Sequence, residues 1–279
     1  MGWQLADSAA TADAMIVGPG VLPDDVQQVV RVERAQGIDG FRWGIRHLAF
    51  TREWAVETVP YGLIADQVID VRRPKKRRKG VMVLLHGGFW MQAWQRSLMD
   101  GIAVDLTRRG YETWNIEYGR VGGSGGWPQT GEDVLAAMDA VVVAAETETA
   151  TVVGHSAGAQ LALWAAARRP EAVERVVSLA GLCDLDTARQ QRLGGGAVER
   201  LLEGRPAAVA SPLDQVPLHV PVLLAHCADD QVVPPEQSET FAHAAAAAGD
   251  EVEVLRHDRG GHMSLIEPEG AWQTVANRL

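Results

Sequence analysis

From Val81 onward the apolar and polar positions fall into blocks whose period switches back and forth along the chain. Val81–Leu85 is a continuous apolar run, the pattern of a strand covered on both faces. Leu98, Ile102 and Leu106 then repeat at helical spacing up to Gly110, which predicts a helix over about 95–109. Residues 111–118 read as the next strand and 119–129 as a Gly-rich loop. Thr130 is expected to cap a helix with Glu132 and Asp133 in its first turn. Its apolar stripe is Val134, Leu135, Met138, Val141 and Val142. Strands are predicted at 150–153, 175–180, 220–226 and 251–255. Helices are predicted at 159–167, at 235–248 between Pro235 and Gly249, and from Pro268 onward. Residues 181–213 mix polar, Gly-rich and helical signals and read as an excursion above the sheet. Strands alternating with helices predict an α/β fold built on a mostly parallel, doubly wound sheet.

Before Val81 the pattern is less regular. Residues 1–20 read as a loosely held arm. Val26, Val29, Val30 and Val32 predict a helix over 23–36 that stops at Gly37, and residues 41–73 two or three strands. The expected organisation is residues 1–50 as an arm and helix packing on the core, and 51–279 as one domain. The basic run at 72–79 reads as a solvated hairpin turn, because its like charges repel and need water.

Composition narrows the function classes. A formal net charge of −10 argues against a general nucleic-acid binder. Two cysteines, Cys183 and Cys227, make no disulfide framework and suit a reducing, cytoplasmic compartment. No basic segment followed by a long apolar one opens the chain, and no run is long enough to span a bilayer, so neither a leader nor a membrane partner is expected. The chain shows no H-E-x-x-H, C-x-x-C or carboxylate cluster with metal-ligand spacing, so no metal or other cofactor is expected.

The candidate chemistry centres on Gly154-His155-Ser156-Ala157-Gly158, set between a β-prone stretch and a run of good helix formers. Strand, G-x-S-x-G, helix is the context of a sharp turn that presents a nucleophilic serine. A serine hydroxyl needs a base within reach and a third group to orient that base. For the base, His262 follows Gly260-Gly261, which free the backbone to carry an imidazole over the sheet edge; His257, at the strand end, is the lesser candidate. For the acid, Asp229 and Asp230 are adjacent and point to different sides, with Asp184 or Asp186 as further options. One oxyanion donor is expected from the N–H of Ala157, at the helix start. The other is expected from Gly88 or Phe89, in the loop His86-Gly87-Gly88-Phe89-Trp90. His86 reads as a post that shapes this loop and His155 as a packing neighbour. His47, His219, His226 and His243 are given no partner and no role. Phe89, Trp90, Trp94 and Trp127 are candidate aromatic walls of a pocket for an apolar or aromatic substrate.

With these motifs in this order, the chain resembles an α/β-hydrolase-fold serine hydrolase of the esterase/lipase type. Within that superfamily the two Gly-rich motifs resemble the kynurenine formamidase-like and related carboxylesterase group, over about residue 56 to 279. Residues 226–234 are similar to the family's H-G-x-x-D-x-x-V-P, which places the acid on Asp230, and Gly260-Gly261-His262 matches its G-x-x-H loop. Cys227 departs from the glycine of that motif, and Phe89 from the third glycine of the H-G-G-G lipases. The short 181–213 excursion implies a small lid. The strand order of the family would put Cys183 and Cys227 at the ends of neighbouring strands, with free thiols the expected state. The expected reaction is hydrolysis of a small-molecule ester or amide through an acyl-enzyme on Ser156. Arylformamide hydrolysis, acyl transfer and a non-catalytic ligand receptor are the alternatives, and the N-terminal segment is a candidate homodimer contact.

Overall fold

The computed structural model describes residues 54–279, together with the backbone of two short strands nearer the N-terminus. Those strands, β1 (Met15–Val17) and β2 (Val32–Arg34), pair in parallel within a compact unit spanning 1–55. The helix expected over 23–36 lies outside the described residues except at Val32–Arg34, which are strand. The arm expected over 1–20 lies outside them too, except at Met15–Val17.

The second unit, 56–279, holds an eight-stranded sheet. Its strands are β3 (Glu57–Pro60), β4 (Val68–Arg72), β5 (Val81–Leu85), β6 (Glu112–Ile116), β7 (Ala150–His155), β8 (Val173–Leu179), β9 (Val222–Cys227) and β10 (Val252–His257). They lie in the order β10-β9-β8-β7-β5-β6-β4-β3, parallel throughout except that β4 runs against both neighbours. The unbroken apolar runs are the central strands: β5 and β7 are buried along their whole length, as strands with helices on both faces must be. The basic run is not a hairpin turn. Because β6 lies between β4 and β5, residues 73–80 cross the end of β6, with the side chains of Lys75, Lys76 and Arg77 in solvent.

The helices follow from the same order. After β5 the chain passes through α1 (Asp100–Arg109) to β6 on one side, whereas β7, α3 (Ala157–Ala166) and β8 continue to the other. Right-handed crossovers in opposite directions put α1 and α3 on opposite faces. On the α1 face, Trp272 and Gln273 of the closing helix α7 (Trp272–Ala276) bond Asp105 and Arg109 at 2.8 Å. On the other, α2 (Gln129–Ala144) meets α3, with Trp127 edge-on to Trp164 at 4.7 Å between ring centroids. Thr130 does not cap α2; the helix begins at Gln129, and the Thr130 hydroxyl donates to the Gly119 carbonyl at 2.7 Å.

The excursion holds α4 (Leu185–Gln190) and α5 (Leu193–Leu202), and α6 (Glu236–Ala247) joins β9 to β10. Strand order reverses between β5 and β7, so the loops leaving their C-terminal ends diverge and open a crevice there. The oxyanion-loop candidate and the serine turn flank that crevice.

Candidate active site

Ser156 stands between β7 and α3 with φ 56° and ψ −118°, a backbone conformation that L residues rarely adopt. What forces it is close packing of helix on strand. A Cβ at Gly154 would lie 2.2 Å from the Gly158 carbonyl oxygen, and one at Gly158 only 2.1 Å from that of Leu85. Ala157 heads α3, so its N–H has no partner within the helix. The loop after β5 comes up beside it: a Cβ at Gly87 would lie 3.0 Å from Ser156 Cβ. In this loop Gly88, Phe89 and Trp90 all have positive φ, 105°, 51° and 58°. Two consecutive non-glycine residues in the left-handed region hold strain that the surroundings must restrain.

His262 and Asp230 meet, although they arrive from different strands. Nδ1 of His262 lies 2.7 Å from Asp230 Oδ2, so Nε2 is the nitrogen left outside that pair. The His262 carbonyl accepts from His155 Nε2 at 3.0 Å, and the two rings stand 4.6 Å apart, so the histidine loop is fastened to the residue next to Ser156. Among the described residues neither the Ser156 hydroxyl nor His262 Nε2 has a hydrogen-bond partner. Such contacts are often long before substrate is held and tighten in the complex. Burial would raise the Asp230 carboxyl, but hydrogen bonds from His226 and His262 and the backbone N–H of Val233 hold it well below the usual carboxylate range.

Several neighbours do more than the sequence showed. His226, expected to have no partner, lies 3.3 Å from Asp230 Oδ2 and 3.0 Å from the Val233 carbonyl. A carbonyl only accepts, so Nε2 carries the proton, and the Ser238 hydroxyl donates to Nδ1 at 2.8 Å. Asp229 does point away from Asp230. It accepts from the N–H groups of Gly260 and Gly261 at 3.2 and 2.8 Å, and thereby holds the turn that carries His262. His86 bonds the buried Glu117 at 2.7 Å and stacks on Tyr118, whose hydroxyl donates to the His86 carbonyl. Burial opposes ionisation of Glu117, yet the charges of His86, Arg120 and Arg96 bring it down to about 2. No motif marks Glu117; its part is visible only once β6 lies beside β5.

The aromatic walls need correcting. Trp90 is fully buried in the core, its indole donating to Gln160 Oε1 at 2.9 Å, so it forms no pocket wall. Trp127 is buried between α2 and α3 against Trp164. Phe89 and Trp94 stay beside the loop, partly exposed. A Cβ at Gly88 would lie 2.4 Å from that of Trp94, and the Phe89 ring lies over Gly194 of the excursion. His257 is away from this group, 3.0 Å from the Thr274 hydroxyl. Asp184 caps α4 through the N–H groups of Asp186 and Thr187. Cys183 and Cys227 are free and buried. Among the described residues no cluster of His, Cys, Asp and Glu is set to hold a metal ion, and no helix is long and apolar enough to cross a membrane.

The sheet order and the strained serine turn define an α/β-hydrolase with the geometry of a serine hydrolase. The BD-FAE family model matches residues 69–245, well over half of the chain. The chain belongs to that family, which is one of α/β-hydrolase esterases. No match is found among curated proteins. Among solved structures, Esterase B from Lactobacillus rhamnosis inhibited by a tributyrin phosphonate is 16% identical, with a TM-score of 0.70 over 86% of this chain and 90% of that one. A putative thioesterase from Silicibacter sp. TM1040 is 19% identical, with a TM-score of 0.68 over 87% and 94%. A bifunctional GH43-CE from Bacteroides eggerthii is 20% identical with a TM-score of 0.64; it aligns with 73% of this chain, which spans only 35% of it. At these identities the likeness establishes the fold.

Proposed function

We propose that the protein hydrolyses a carboxylic ester of a small to medium apolar or aromatic substrate through an acyl-enzyme on Ser156. The observation that carries this reading is the fixed pair His262–Asp230, 2.7 Å apart, with the His262 ring 4.6 Å from that of His155, which adjoins a serine in a strained turn. Ser156 Oγ attacks the ester carbonyl while Nε2 of His262 takes its proton, and Asp230 stabilises the imidazolium through Nδ1–H. The carbonyl oxygen gains charge and is received by the N–H of Ala157 and that of Gly88 or Phe89. His262 returns the proton to the departing alcohol. Water then attacks the acyl-enzyme with His262 again as base, releasing the acid and Ser156.

The test uses 4-nitrophenyl esters of increasing acyl length, with an N-formyl aromatic amine and an added alcohol as comparisons. Ester turnover is expected to exceed formamide turnover and to yield mainly the free acid. Ser156→Ala should lower kcat by at least about 10⁴-fold. Faster formamide hydrolysis would favour an arylformamidase, and product partitioning to the alcohol an acyltransferase. An unaffected Ser156→Ala variant, or failure of a fluorophosphonate to label Ser156, would contradict the reading.

A further inference from the structure

One buried chain of hydrogen bonds is not used by the reaction above. Gln160 lies on α3 one turn beyond Ser156, its N–H bonded to the Ser156 carbonyl at 3.2 Å. Its side chain is fully buried and bonded at both ends. Oε1 accepts from the Trp90 indole at 2.9 Å, and Nε2 donates to the Ala210 carbonyl at 2.8 Å. Trp90 closes the oxyanion loop in a left-handed conformation, next to Phe89 in the same region. Ala210 belongs to the excursion over the sheet. The excursion also meets the loop at Gly194, where a Cβ would come within 2.6 Å of the Phe89 ring.

We propose that Gln160 is a positioning residue for the oxyanion donors. By fixing the indole of Trp90 it holds Phe89 and Trp90 in their strained backbone, and so aims the N–H groups of Gly88 and Phe89 at the developing oxyanion. By its other end it ties that geometry to the excursion, so the segment that roofs the site also sets the donors. Helix α3 thereby carries the nucleophile and, one turn later, the anchor of the group that stabilises its product. The inference rests on the reading that the oxyanion is received by this loop. An unrestrained left-handed pair relaxes toward ordinary backbone angles, and a donor displaced in a pre-organised site loses most of its effect on the transition state while ground-state binding changes little.

The experiment measures kcat and KM on a 4-nitrophenyl ester, and the inhibition constant of a trifluoromethyl ketone whose hemiketal oxyanion needs the same donors. Gln160→Met keeps the length of the side chain and removes both hydrogen bonds. It should lower kcat about 10- to 100-fold with KM within about twofold, and weaken the ketone by the same factor as kcat/KM. Trp90→Phe removes the indole donor and should behave alike, and the double variant should be no worse than either single one. Gln160→Glu keeps the acceptor for Trp90 and should recover most of kcat. Should Gln160→Met fail to fold, Trp90→Phe and Gln160→Glu, compared on the same readouts, decide the matter. Unchanged kcat and ketone affinity in the folded variants, with only the melting temperature lowered, would overturn the proposal. Such a result beside an active wild type and an inactive Ser156→Ala leaves the esterase reading standing, whereas a wild type that neither turns over esters nor binds the ketone removes that reading itself.

Discussion

Single residues around Asp230 show how position in the fold, rather than residue type, assigns a role. Three histidines, 155, 226 and 262, gather here: His226 has both ring nitrogens bonded, His155 keeps its Nδ1 buried without a partner among the described residues, and His262 bonds Asp230 through Nδ1. Burial and the neighbouring His262 push the His155 imidazole from its ordinary 6.5 down to about 3. The unfolded chain therefore takes up a proton there below about 6.5 that the folded protein refuses until about 3, so folding stability falls as pH drops through that window. Glu117, brought from 4.5 to about 2, adds its own loss between those values. The urea midpoint should decline from about pH 6.5 downward, and His155→Gln, whose amide can still donate to the His262 carbonyl, should flatten the decline above about pH 4.5. An identical pH profile in the variant would contradict this account. Residues named from motifs carry a local signal: Ser156 sits in a five-residue pattern and His262 behind two glycines. His226, although it opens the H-G-x-x-D-like stretch, carries nothing that names its partner, and Glu117 carries no signal. Their partners are 4 and 31 residues away along the chain and are brought to them only by the turn after β9 and by the pairing of β5 with β6.

At the scale of elements, the periodicity of the sequence named the sheet and its helices from Val81 onward, because buried parallel strands are continuous apolar runs. It misjudged places where neighbours in the sheet are not neighbours in the chain. The basic run after β4 has the composition of a hairpin, yet β6 separates the strands it joins. Trp90 and Trp127 stand close to the motifs in sequence, but the loop turns one inward onto Gln160 and α2 folds the other onto Trp164. The serine turn was legible because its glycines report a close approach of backbone to backbone. That approach makes a graded prediction. In Gly158→Ala the new Cβ would lie 2.1 Å from the Leu85 carbonyl and 2.5 Å from that of His86, neither of which can yield. Chemical denaturation should show a loss of about 3 kcal/mol or more, beyond the usual range for overpacking. Gly195→Ala meets open space and has only its left-handed φ of 65° to resist it, so about 1–2 kcal/mol is expected. Equal losses in the two variants would mean that helix–strand contact is not what shapes the turn.

For the molecule as a whole, the sheet's reversal between β5 and β7 decides where chemistry can occur. It brings the serine turn and the Gly-rich loop after β5 to one crevice, and the two strands beyond β8 deliver Asp230 and His262 to the same edge. Behind the loop after β5, Asp70, Arg96, Glu117 and Arg120 form ion pairs between 3.0 and 3.4 Å, and His86 bonds Glu117 at 2.7 Å. In the proposed reaction an acyl group passes through Ser156. Mixing the enzyme with 4-nitrophenyl acetate, quenching in acid within milliseconds and measuring peptide masses tests it most directly. The account predicts one acetyl group on the peptide containing Ser156, absent in Ser156→Ala and forming far more slowly in His262→Ala, which lacks the base for both steps. Turnover with no adduct, or an adduct on another side chain, would contradict it.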